Sequence, residues 1–305
     1  MRIETVTSAQ NPKIKNLLLL QEKSRARKEQ GLFVVEGRRE LGHCIEAGFE
    51  IHTVFVCPEI AGDFASGFLP DAASSLRDRG TQKPDLVESV PDSSFGPVRT
   101  AGLLGTSAAP ASGSMAVIEV PLPLYRKIAM RDTTEGIVAE VKVRERRLDD
   151  LALPENPLVV VLESVEKPGN LGAVLRSADA AGAAAVIVCD PLTDLWNPNL
   201  IRASVGAVFT VPTVAAPSDE VIPWLNAHHI RILTAQLQDS EWYYETPMTG
   251  PTALVMGTES TGLTDLWRKA ADAHIRIPML GRLDSLNVSV SAAILLFEAV
   301  RQRHA

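Results

Sequence analysis

Leu158-Val159-Val160-Val161-Leu162 is a continuous apolar run. It breaks at Glu163-Ser164-Val165-Glu166-Lys167-Pro168-Gly169 and gives way to Asn170-Leu171-Gly172-Ala173-Val174-Leu175-Arg176, a helical pattern ending at Gly182. A strand that is apolar at every position, not at alternate ones, is buried on both faces, as in a parallel sheet covered by helices. Similar runs at Ala185–Cys189, Ile230–Ala235, Ala253–Met256 and His274–Pro278 alternate with helical stretches. From Leu158 onward the sequence therefore predicts an α/β domain. It ends in a helix, Asn287–Arg303, whose Val290, Ile294, Leu295, Leu296, Phe297 and Val300 form more than one apolar stripe. Such a helix either sits deep in its domain or packs against a second subunit.

Upstream the pattern is shorter but of the same class. Ser8-Ala9-Gln10-Asn11-Pro12 is a helix start, with polar caps and a proline, and Gly31 ends that helix. Leu32–Val35 and His52–Val56 are strands, and a helix from Glu36 to Gly48 lies between them. Gly, Ala, Ser and Pro crowd Gly62–Ser75 and Gly102–Ser114, which predicts loops, and Met115–Val120 is a closing strand. Pro121–Pro157 carries prolines and the basic run Lys142, Arg144, Arg146 and Arg147. It is expected to be a solvated connector with some helix.

Composition narrows the function. The chain has 305 residues, is 46% hydrophobic and 22% charged, and carries a net charge of -7; wholesale disorder and rod-like architectures are excluded. No apolar run approaches the ~20 residues of a membrane span, and Met1–Thr5 has no signal-peptide pattern. Cys44, Cys57 and Cys189 form neither a disulfide framework nor a metal cluster, which suits a cytoplasmic protein without a metal. An acidic protein is not a general polyanion binder, yet Met1–Cys44 holds nine basic residues against five acids. Polyanion binding needs only such a local surface, although a solvated helix face explains the same charges.

Three bends carry candidate chemistry. At Glu163–Arg176, Asn170 can cap the helix and Gly172 permits close approach of a ligand or of another backbone. A P-loop and a dinucleotide fingerprint are both absent. Arg176 is either salt-bridged to Asp179 or Glu163, or aimed at an anion across the sheet edge. At Met256-Gly257-Thr258-Glu259-Ser260-Thr261-Gly262, glycines leave main-chain groups open to an adenine or ribose, unless this is a plain strand–helix junction. At Ile277-Pro278-Met279-Leu280 and Ser285-Leu286-Asn287-Val288-Ser289, one polar side chain suffices to cap the final helix, and the others could line a pocket.

Together and in this order, these blocks resemble the SpoU, or TrmH-like, branch of the SPOUT RNA methyltransferases, over roughly Leu158–Arg303. Asn197–Ala207, with Arg202-x-Ser204-x-Gly206-Ala207, is similar to a further family segment, and Ser8–Gly37 resembles the L30e-like RNA-binding domain often fused ahead of it. One departure is Ser291, where the family usually has alanine. The resemblance implies an α/β fold: a C-terminal SPOUT domain (157–305) with a parallel sheet and a deep trefoil knot, an L30e-like domain (1–120) and a linker (121–156). It further implies S-adenosyl-L-methionine held by Gly257, Thr258, Ile277, Met279 and Leu286, and homodimerisation through the C-terminal domain.

The implied reaction is methyl transfer to a ribose 2′-hydroxyl of structured RNA, with 23S ribosomal RNA favoured. Arg176, Asn170, Glu259, Ser285 and Asn287 are the expected catalytic set, and Lys13, Lys15, Arg25, Arg27, Arg38, Arg39 and Arg202 the expected RNA contacts. A guanidinium is a poor base, so Arg176 is expected to stabilise a developing alkoxide and clamp a phosphate. Removing Met1–Val120 is expected to cost RNA binding and spare the cofactor site. The alternatives are a transfer RNA 2′-O-methyltransferase, a non-catalytic RNA-binding protein of this fold, methylation of a base atom, and an unrelated nucleotide-dependent enzyme.

Overall fold

The computed structural model describes residues 2–62, 115–132, 134–258 and 261–304. Except for Gly62, the loops expected at Gly62–Ser75 and Gly102–Ser114 lie outside them. The first domain is built on a five-stranded sheet of β1 (Arg2–Thr5), β2 (Leu32–Glu36), β3 (Ile51–Val56), β4 (Ala116–Glu119) and β5 (Ile137–Lys142), in the order β1-β4-β3-β5-β2. Its described helices are α1 (Pro12–Glu22), α2 (Ser24–Gln30), α3 (Arg38–Glu46), α4 (Pro58–Ala61) and α5 (Leu122–Ile128).

Two expectations change. Residues 122–142, read as part of a connector, belong to this domain, because β5 lies antiparallel between β3 and β2. The strand is hidden in the sequence by Glu140, a charge within an apolar run. In the fold Glu140 is 4% exposed and accepts from Asn16 Nδ2 (3.3 Å). The single helix expected up to Gly31 is two helices, parted at Lys23, whose backbone is extended. The break turns Arg27 inward, where its Nη1 donates to the terminal α1 carbonyls of Leu20 (2.6 Å) and Gln21 (3.2 Å). Those carbonyls have no partner within the helix itself.

The second domain is a seven-stranded sheet whose neighbouring strands all pair in parallel. In chain order it comprises β6 (Leu158–Glu163), α6 (Pro168–Ala180), β7 (Ala185–Cys189), α7 (Pro198–Ala203), α8 (Ala207–Thr210), β8 (Thr213–Ala216), α9 (Ser218–Ala227), β9 (Arg231–Ala235), β10 (Glu241–Trp242), β11 (Thr252–Met256), α10 (Asp265–Ala270), β12 (Ala273–Arg276) and α11 (Val288–Arg303). The strands run β10-β12-β9-β11-β6-β7-β8. Successive residues of a strand face opposite sides. Leu158, Val160 and Leu162 thus enter one core with α6 and α11, while Val159 and Val161 enter the other with Trp224 and Trp267. Two-sided burial of β6 follows directly.

The two sheets share the first of these cores. Phe33 stacks on Trp196 with ring centroids 4.6 Å apart, and Phe49 meets Phe209 edge-on at 5.3 Å. Beside them Arg27 Nε donates to Asp194 Oδ2 at 2.6 Å, both side chains being under a tenth exposed. Among the described residues, no helix is long and apolar enough to cross a membrane.

Candidate active site

The C-terminal ends of the parallel strands point at one place, where such sheets bind ligands. At the end of β11 the chain folds back at once. Gly262 N donates to Thr258 O at 3.1 Å, and Thr258 Oγ1 accepts from Thr261 N at 3.0 Å. Gly257 is required by this fold-back: a Cβ there would lie 2.3 Å from both C and O of Gly262. After β12 the chain runs through Ile277–Leu286 and turns into α11. Asn287 caps α11, its Oδ1 accepting from Ser289 N (3.0 Å) and Ser289 Oγ (2.6 Å).

These turns enclose a cavity of about 340 Å³, at the lower end of the range for small-molecule sites. Gly257, Thr258, Ile277, Met279, Leu286 and Ser285 all line it. Asn170 meets them at the rim, where its Oδ1 accepts from Asn287 Nδ2 at 3.1 Å. The first and third bends are therefore joined by one hydrogen bond, and the second and third form the cavity wall. Asn170 does not cap its helix, as expected from the sequence; Lys167 holds that position and Asn170 lies within the first turn. The close approach at Gly172 is to another backbone. A Cβ there would stand 2.8 Å from Ser204 N and 2.9 Å from Ala203 C.

Arg176 is exposed on α6 and does not line the cavity. Neither candidate salt bridge forms. Glu163 accepts from Thr264 N (2.8 Å) and Oγ1 (2.7 Å), and Asp179 accepts from Thr210 Oγ1 (2.6 Å). Glu259 lies outside the described residues. Burial pushes the Cys189 thiol up to about 12 and the Cys57 thiol up to about 11, so neither is a thiolate at neutral pH.

The expected RNA contacts divide. Lys15 and Arg39 are exposed; Lys13 pairs with Glu4 (2.5 Å) and Arg25 with Glu29 (2.6 Å). Arg38 Nη2 donates to Ala61 O at 2.7 Å, and Arg202 Nη2 donates to Asn199 Oδ1 at 3.1 Å, beside Glu36 and Arg131 at the domain seam. Arg27 is a correction. It is 2% exposed and bonded to Asp194 and the α1 carbonyls, so RNA cannot reach it.

A model of the SpoU rRNA Methylase family matches residues 157–297, and one of the MRM3-like substrate binding domain matches residues 11–79. The 23S rRNA (guanosine-2′-O-)-methyltransferase RlmB of Vibrio parahaemolyticus is 42% identical over 175 residues, which cover 55% of this chain and 71% of that protein. This chain belongs to the SpoU rRNA methylase family. A solved RNA 2′-O ribose methyltransferase is 34% identical with a TM-score of 0.74, covering 99% of this chain and all of that one. The AdoMet-bound rRNA methyltransferase of Sinorhizobium meliloti is 28% identical with a TM-score of 0.77, covering 99% and 98%.

Sequence reasoning missed part of the cavity wall of this SpoU family member. Gln236, Leu237 and Gln238 follow β9, Arg268 lies on α10, and Arg276 ends β12. Arg276 Nη1 donates to Ser240 O at 2.6 Å, and its guanidinium lies 4.2 Å from the centre of the Trp242 ring. No motif marks these residues. For Gln236–Gln238 and Arg276 the one signal is position, at the C-terminal ends of parallel strands, and Arg268 on its helix has none.

Proposed function

We propose that this chain transfers the methyl group of S-adenosylmethionine to a ribose 2′-hydroxyl of 23S ribosomal RNA. The observation that carries the reading is the Asn170–Asn287 hydrogen bond, which sets the first bend at the mouth of the cavity formed by the other two. The named activities of the RlmB relative and of the AdoMet-bound neighbour point the same way. The cavity suits the cofactor: Met256, Ile275, Ile277 and Leu295 give an apolar wall, and Gly257 and Gly262 bring main chain to its surface. That wall is what the expected threading of the C-terminal chain through a knot would create.

When bound, S-adenosylmethionine supplies an electrophilic methyl on a sulfonium that leaves readily. What the protein must supply is placement of the hydroxyl and handling of its proton. Gly257, Thr258, Ile277, Met279 and Leu286 hold the cofactor, chiefly through main chain. Asn170, Ser285 and Asn287 orient the incoming ribose, and Glu259 completes the proposed catalytic set. Arg176 stabilises the developing alkoxide and holds a neighbouring phosphate; a guanidinium is a poor base, so the hydroxyl proton leaves to solvent. Because Arg176 stands outside the cavity of its own chain, it acts on that of a second copy. The pairing face is α11, where Val290 and Phe297 are about half exposed, and α6 packs against it. Exposed Lys15 and Arg39, with the basic run Arg144–Arg147, grip the RNA backbone without reading sequence; the setting is the cytoplasm.

The test is methyl transfer to 23S ribosomal RNA fragments, with the 2′-O-methyl position mapped. Arg176→Ala is expected to lower turnover by about 10²–10³-fold, as for loss of one transition-state donor, with unchanged cofactor affinity by calorimetry. Full activity of that variant refutes the role of Arg176. Methylation of transfer RNA alone refutes the substrate.

A further inference from the structure

Among the charged residues that line the cavity, Arg276 is already held, by Ser240 and by the face of Trp242. Asp284 accepts from Ser285 Oγ at 3.3 Å. Arg268 is different. Its Nε is closed to solvent without a hydrogen-bond partner, although the side chain as a whole is 37% exposed, and its nearest carboxylate among the described residues is that of exposed Asp265, 3.9 Å from Nη1. The side chain is nonetheless well placed. Its helix α10 opens at Thr264, which is tied to buried Glu163, and the adjoining Trp267 is wholly buried with Nε1 donating to Ser218 Oγ at 2.9 Å. Arg268 therefore projects from an anchored turn into the cavity wall beside Gly262.

A buried donor of a permanently charged group is a standing cost unless an anion meets it. We propose that Arg268 is the counter-ion for the carboxylate of the cofactor's amino-acid tail. This rests on the cofactor assignment made above. Within S-adenosylmethionine the sulfonium and ammonium are cationic and the adenine and ribose neutral, so the carboxylate is the only anion it offers a guanidinium. A phosphate of the RNA chain is the other anion at hand. It is disfavoured because Arg268 stands in the wall of the cofactor cavity, beside the main chain of Gly262.

The experiment is calorimetric titration of the full chain with S-adenosylmethionine and with its decarboxylated analogue, which differs only in the group at issue. The wild-type chain is expected to prefer the carboxylate-bearing ligand by about 10- to 100-fold, the size of a charge-assisted hydrogen bond. Arg268→Gln should abolish that preference while binding the decarboxylated ligand as the wild type does, and Arg268→Lys should restore part of it. An Arg268→Gln chain that keeps the preference overturns the proposal, and so does one that loses both ligands equally, which is the mark of a structural role. A wild-type chain that binds neither ligand refutes the cofactor assignment itself.

Discussion

Gly257→Ala separates damage to the cavity from damage to the fold. The added Cβ would stand 2.3 Å from C and O of Gly262 and 2.5 Å from Leu263 N, whereas Cβ atoms essentially never approach closer than 3.0 Å. Backbone must move by about 0.7 Å, the gap between 2.3 and 3.0 Å, and no flexible side chain is there to yield. Overpacking of this kind costs about 1–3 kcal/mol. Two segments could relieve it. One is β11, buried at every position between β6 and β9; the other is the turn at Thr261–Gly262, which is exposed. The turn gives way first. Its displacement opens the Thr258–Gly262 pairing and pulls one wall off the cavity. The strain therefore appears in binding: S-adenosylhomocysteine affinity should fall about tenfold or more, at 1.4 kcal/mol per decade. The thermal midpoint should drop by only about 2–4 °C per kcal/mol left unrelieved. Gly281→Ala is the control, because nothing lies within 4 Å of a Cβ there and its φ is not positive; it should change neither quantity. A Gly257→Ala chain with native affinity and a depressed midpoint would refute the reasoning.

Asp194→Asn leaves the buried Arg27 guanidinium without its charge partner and should cost about 3–5 kcal/mol in urea unfolding; a loss under about 1 kcal/mol would mean that the pair is solvated. Burial, the largest influence, raises the Glu36 pKa above its ordinary 4.5, although the Met130 N–H and Arg131 oppose it. The folded state then holds this proton more tightly than the unfolded one, so stability falls as pH rises from about 4.5 through the folded value. Glu36→Gln should be more stable than the wild type at pH ~7 by denaturant melts, with the gain closing as the pH is lowered toward 4.5; a gain independent of pH would dismiss the titration. Phe297→Glu places a charge on the half-exposed face of α11 and should yield monomers by sedimentation that still bind cofactor but do not methylate; an active monomer would sink the shared-site reading.

The second domain was legible because its central strands are dominated by unbroken apolar runs, β7 from end to end and β6 as far as Leu162, and only two-sided burial explains that pattern. The first was less so, for reasons that lie in single residues. Glu140 masks β5 because sequence patterns cannot show that Asn16, over a hundred positions away, will come to hold it. Arg27 misled in the opposite sense. In sequence it belongs to a basic run, and only the break at Lys23 turns it into the core. At the site, the glycines and asparagines announced bends but not their partners. Gly172 met a helix backbone where a ligand was equally open, and Asn170 met Asn287 where a helix cap was expected. Local chemistry was readable; long-range pairing was not.

The shared core changes how the RNA-binding role of the first domain must be tested. A truncation of Met1–Val120 was expected to leave a working cofactor domain. It would instead strip β5 of both neighbouring strands and bare Trp196 and Phe209, which Phe33 and Phe49 cover. It would also leave Asp194 facing no guanidinium. Exposed aromatic surface and an unpaired strand on both edges promote aggregation, so loss of RNA binding in that truncation would say nothing about where RNA binds. Substitution of exposed cations avoids this. Lys15→Glu and Arg39→Glu touch no described core or seam contact, so they should weaken RNA binding and flatten its dependence on salt while cofactor affinity and the melting curve stay in place. If RNA affinity and its salt slope are unchanged in the double variant, the RNA path does not cross this face, and the Arg144–Arg147 run is the next place to look.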